Sequence, residues 1–88
     1  MYSLLYLDLG CGCHFPCAMV MSVSEDINKL KEEMNRLVNI SVQIDDNNPF
    51  NEDCNFLIEE KYDMRIELKH KYHLDWRVVF EINLVGQI

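Results

Sequence analysis

Positive charge is scarce in this chain. Eight Lys and Arg stand against fifteen Asp and Glu, a formal net charge of −7 over 88 residues. Direct nucleic-acid binding needs a basic footprint, so this balance argues against it. No stretch approaches the ~18 apolar residues of a membrane-spanning helix. The first basic residue is Lys29, and Asp8 interrupts the opening apolar run, so no secretory leader is expected. The thiols are then expected to stay reduced in a cytoplasmic setting. Hydroxyls of the Ser/Thr kind are limited to Ser3, Ser22, Ser24 and Ser41, none of them in a nucleophile elbow. A Cys-x-x-Cys pair is also missing, because Cys13 and Cys17 stand one residue too far apart for disulfide exchange. Glu59 and Glu60 are adjacent and point to different faces of a helix or strand, which makes them poor acid–base partners. With these absences the chain is read as non-enzymatic.

What is present supports a real core. The sequence is 49% hydrophobic and of single-domain length, so residues 1–88 are read as one compact domain. Tyr2 to Leu9 is rich in aromatic and aliphatic residues and ends at Gly10, the pattern of a buried strand. Ala18 to Val23 returns as a second strand. Ser22 with Glu25 forms a capping box, and Ser24 competes as N-cap. Ile27, Leu30, Met34, Leu37 and Val38 then share one face of a long amphipathic helix. Glu25 with Lys29 and Glu32 with Arg36 have i,i+4 spacing on its other faces.

Ile40, Val42 and Ile44 alternate with polar residues, as in a half-buried strand. Asp46-Asn47-Asn48-Pro49 marks a turn. Asn48 as cap and Pro49 at the first position then open a second short helix, with Phe50, Cys54, Leu57 and Ile58 on one face. The alternative is an irregular loop to Asn55 and a strand through Phe56, Leu57 and Ile58. Met64, Ile66 and Leu68 alternate, as do Trp76, Val78, Phe80, Ile82 and Leu84, so this third of the chain reads as an antiparallel hairpin. Its connection, His70 to His73, is expected in solvent, and Trp76 in the core. The fold class expected is α+β, a mainly antiparallel sheet with both helices on one face.

Two motifs bear on function. The run Leu7-Asp8-Leu9-Gly10-Cys11-Gly12 resembles the glycine-rich loop of S-adenosylmethionine-dependent methyltransferases. That resemblance implies a doubly wound parallel sheet, and 88 residues hold at most about two of the ~30-residue βαβ units it needs. Its third glycine also falls at Cys13, and Pro16 follows where a helix should open.

The same loop carries Cys11, Cys13, His14 and Cys17, thiolates and an imidazole that can close a tetrahedral structural zinc site. Adjacent Cys13 and His14 ligate together only with strain, so Cys54 or His73 can replace one of them. The competing reading is of free cysteines buried in the core.

The acids are clustered. Asp45, Asp46, Glu52, Asp53, Glu59 and Glu60 form a stretch without a base, and Phe50 lies inside it next to Pro49. An aromatic rimmed by acids can anchor a protein interface while the charges steer docking onto a basic surface. In size, acidity and lack of a catalytic motif the whole chain is similar to the small phage inhibitors, including the zinc-bearing anti-CRISPR proteins that block Cas9. That resemblance implies binding and inhibition of a nucleic-acid enzyme such as a Cas nuclease, in the host cytoplasm. It carries no motif, so no site residue transfers from it. The alternative function is a zinc-stabilised structural module or a subunit of a larger assembly.

Overall fold

The computed structural model describes residues 1–10, 16–42, 56–72 and 75–85. Its elements run β1 (Tyr2–Asp8), β2 (Cys17–Ser24), α1 (Ile27–Val42), β3 (Phe56–Lys61), β4 (Arg65–His70) and β5 (Arg77–Leu84). The five strands form one sheet in the order β2-β1-β5-β4-β3, and every neighbouring pair is antiparallel. The architecture is α+β, with α1 across one face.

Alternation along the strands decides which side chains meet the helix. Leu4 on β1, Ile66 and Leu68 on β4, and Val78, Phe80 and Ile82 on β5 are buried in one cluster with Leu30, Met34 and Val38 of α1. The helical residues recur at i,i+4, one stripe of a 3.6-residue period. Tyr2, Tyr6, Ile27, Leu37, Val42 and Met64 pack around the edge of this core.

The helix begins on neither serine expected to cap it. Ser22 lies inside β2, and Ser24 Oγ accepts the Asp26 N–H at 3.0 Å. Asp26 is itself the cap, its Oδ1 accepting the Asn28 N–H at 3.0 Å. At the other end α1 runs through Ile40 to Val42, where a strand was expected. Val42 continues the series Leu30, Met34, Val38 by one more step of four, and Ser41 Oγ donates to the Leu37 carbonyl at 2.9 Å. The helix still has only 16 residues, about 24 Å, so it is of ordinary length and not long.

The second short helix is not found, and α1 is the one helix among the described residues. Leu57 and Ile58 were expected on a helical face with Phe50 and Cys54, but they are consecutive residues of β3, which is the alternative expectation of a strand through Phe56, Leu57 and Ile58. Pairing with β4, with Phe56 opposite His70, overrides the local spacing because it buries Phe56. Residues 48–55 lie outside the described residues. The methyltransferase likeness also ends at the fold. Gly10 turns with φ 76°, and the chain comes back as β2 beside β1, with no parallel strand among those described. No helix of the described residues is long and apolar enough to cross a membrane.

Candidate interaction surface

The two edges of the sheet are built from opposite materials. β3 carries Glu59, Glu60 and Lys61, and its register with β4 slips between Ile58 and Glu60. Charges and a bulge are the devices that keep an edge strand from pairing with another chain. β2 reads Cys-Ala-Met-Val-Met-Ser-Val-Ser without one charge or proline. Met19 (57%), Val20 (58%), Met21 (41%) and Val23 (51%) stand exposed along it. Fully burying such a side chain is worth about 1.5–3 kcal/mol, so these four leave roughly 3–6 kcal/mol unrealised.

The sheet face turned away from α1 divides along the same line. Toward β2 it carries Leu5 opposite Val20 and Leu7 opposite Ala18. Toward β3 it carries an ion-pair chain. Arg77 Nη1 reaches Glu59 Oε2 at 2.9 Å and Glu67 Oε1 at 3.8 Å; Arg65 Nη1 reaches Glu67 Oε2 at 3.4 Å and Glu60 Oε2 at 3.8 Å. Glu59 and Glu60, the described members of the acidic stretch, are therefore engaged by arginines of their own chain.

Arg36 was expected to meet Glu32 but grips Glu33, with Nε at 3.0 Å from Oε2 and Nη2 on Oε1. Those bonds hold the Glu33 carboxyl below its ordinary range and raise Arg36. The pair lies at the surface, with Arg36 exposed and Glu33 partly so, and adds little to stability. Lys31 Nζ lies 2.9 Å from Asp63 Oδ2. All three arginines are thus paired internally. Over the described residues eight bases meet eleven acids, which leaves −3, and the four acids of residues 43–55 bring the chain to −7.

The base of the β1–β2 hairpin is held by Asp8. Its Oδ1 accepts the Gly10 N–H at 2.8 Å and the Trp76 indole N–H at 3.0 Å. Cys17 opens β2 opposite Asp8 and is exposed. Cys11, Cys13 and His14 lie outside the described residues, as do Cys54, His73, Asp45, Asp46, Phe50, Glu52 and Asp53. Among the described residues no three His, Cys, Asp or Glu side chains gather as a metal site would require.

His70 departs most from expectation. It is 2% exposed, the last residue of β4, and not part of a solvated turn. Its ring stacks on Trp76 (centroids 5.0 Å apart, 17° between planes) and meets Phe56 edge-on at 4.9 Å. The Tyr72 N–H donates to Nδ1 at 3.1 Å, so the neutral ring carries its proton on Nε2. The sequence signal was the alternation Ile66, Leu68, His70, two residues longer than the apolar pattern. The bareness of β2 was likewise written in its composition, but a strand's place at an edge is a property of topology.

Compared with protein families, curated proteins and solved structures, the chain shows no match to a family model, to a protein or to a structure.

Proposed function

We propose that this chain is a non-enzymatic interaction protein that binds a protein with a basic surface and blocks it. The partner class proposed is a nucleic-acid enzyme such as a Cas nuclease in the host cytoplasm. One observation carries this reading. Every arginine is spent on a carboxylate of the same chain, while residues 43–55 hold four acids and no base. Such a concentration of negative charge can steer a basic groove and speed its encounter with the chain. Asp45, Asp46, Glu52 and Asp53 are the proposed contact acids, with Phe50 as the anchor among them and Glu59 and Glu60 at the rim.

DNA cleavage by purified Cas nucleases tests it. Cleavage is expected to fall when the protein is added at low salt and to recover at high salt, where exposed charges are screened. Reversing Asp45, Asp46, Glu52 and Asp53 to lysine should weaken inhibition at least ~10-fold through the association rate. Reversing Glu32 and Glu33 should leave it intact. Equal effects of the two sets, or no inhibition of any nuclease tried, would reject the reading.

The thiol-rich hairpin connection adds a structural zinc to the proposal, held by Cys11, Cys13, His14 and Cys17. Native mass spectrometry of protein purified without chelator is expected to show one zinc per chain, absent from Cys13→Ser/Cys17→Ser. A metal-free wild type would remove the ion from the reading and leave the acidic surface untouched. A structural module within an assembly remains the second reading, favoured by the uncharged β2 edge.

A further inference from the structure

We infer that β2 is a self-association surface, and that a second copy of this chain pairs antiparallel with it to extend the five-stranded sheet to ten strands. The strand offers eight uncharged residues, and its outer peptide groups have no neighbouring strand among the described residues. An edge of this kind is a template for another strand, and the opposite edge, β3, shows the guards that β2 lacks.

Charge selects the occupant. The ion-pair chain of β3 and β4 lies three to four strand spacings from β2, about 14–19 Å. That exceeds the Debye length of about 8 Å at physiological salt, so copies meeting at β2 keep these ion pairs apart. A neutral strand places no charge demand on its partner, and an identical neutral strand fits it.

Charge also selects the direction. Glu25 and Asp26 follow β2 immediately, so a parallel pair would set four carboxylates side by side. An antiparallel pair separates the two sets and brings each to the partner's Pro16–Cys17 end, where β2 carries no charge and the neighbouring Asp8 carboxylate of β1 is held by Gly10 and Trp76. The strand's midpoint falls at Val20 and Met21, and Met21 is the extra residue where the register with β1 slips. A two-fold axis there brings Val20 and Met21 of one copy against Met21 and Val20 of the other, the isologous arrangement of a C2 dimer.

On the face away from α1, the rows Leu5–Val20 and Leu7–Ala18 would then run on into the partner's strand. The area is that of one edge strand with four half-exposed apolar side chains. It belongs to the small interface class, so dissociation constants of ~10⁻⁵–10⁻⁶ M are expected.

Sedimentation equilibrium of the full chain alone, across concentrations spanning that range, is the test. The wild type is expected to shift from monomer to dimer and to keep doing so at high salt. That salt behaviour is opposite to the one predicted for a basic partner, so either proposal can fail without the other. Val20→Lys puts two ammonium groups at the axis and should weaken the dimer at least tenfold, with circular dichroism unchanged because the position is exposed. Val20→Glu should do the same alone, and an equimolar mixture of the two variants should restore the dimer. Leu57→Lys on β3 should have no effect. A wild type that stays monomeric up to about 100 µM, ten times the weakest constant expected, overturns the inference. So does a dimer that Val20→Lys leaves intact or Leu57→Lys disrupts, and so does failure of the mixed variants to pair.

Discussion

Trp76→Ala is expected to lower folding stability by about 3–5 kcal/mol, the cost of deleting a large buried aromatic. A chain of 88 residues at about 0.05–0.15 kcal/mol per residue has only about 4–13 kcal/mol in total. Trp76 supports three things at once. Its ring covers His70, meets the Phe56 ring at 5.2 Å, and ties the start of β5 to the end of β1 through Asp8. Urea denaturation followed by circular dichroism reads the loss, since the substitution removes the chain's one tryptophan fluorophore. Trp76→Phe separates the contributions by keeping a ring without the N–H. Losing a hydrogen bond to a charged acceptor costs about 1.5–3 kcal/mol, so Phe should fall between wild type and Ala. A Trp76→Ala midpoint within error of wild type would mean that this aromatic corner does not support the fold.

Leu4→Ala is the second large effect, about 2–5 kcal/mol. Leu4 is 0% exposed, sits opposite Ile82 of β5, and belongs to the cluster beneath α1. Truncation there opens a cavity where the sheet and helix meet, and neighbours fixed by strand pairing can close it only partly. Leu57→Ala removes the same atoms from the half-exposed β3 edge and should stay within about 0.5 kcal/mol of wild type. Equal losses at the two positions would contradict the assignment of the core to the α1 side.

Elements whose local pattern agrees with their tertiary role could be read directly. The stripe Ile27, Leu30, Met34, Leu37 and Val38 faces the sheet, and the alternation of Ile66 and Leu68 with Val78, Phe80 and Ile82 gives the β4–β5 hairpin. Misreadings arose where two periods fit the same residues. Ile40 and Val42 satisfy alternation, yet Val42 also continues the helical series, and helix propagation adds one bond per residue once the nucleus exists. Leu57 and Ile58 satisfy a helical face, yet β4 has an edge for them to pair with. His70 was assigned to solvent from its polarity, although it continues the β4 alternation and lies against two aromatic rings.

The surface was legible in content but not in arrangement. Composition tells that Cys17–Ser24 is uncharged and that residues 43–55 are acidic. It cannot tell that β1 pairs with β5, and that pairing is what leaves β2 outermost. Nor can spacing reveal that Glu59 and Glu60 meet Arg77 and Arg65, since those contacts follow from the order of strands.

The pairing of β1 with β5 also imposes a timetable on synthesis. About 70 residues separate Asp8 from Arg77, and at ~5–20 residues per second a ribosome needs roughly 4–14 s to cover them. A β-hairpin forms in ~1–10 μs, so β1 and β2 can meet almost as soon as both have emerged. For those seconds the hairpin has neither edge covered, and two strands alone are only marginally stable in water. The sheet therefore becomes whole only once β5 has been made, and its arrival turns a fluctuating ribbon into a lasting structure.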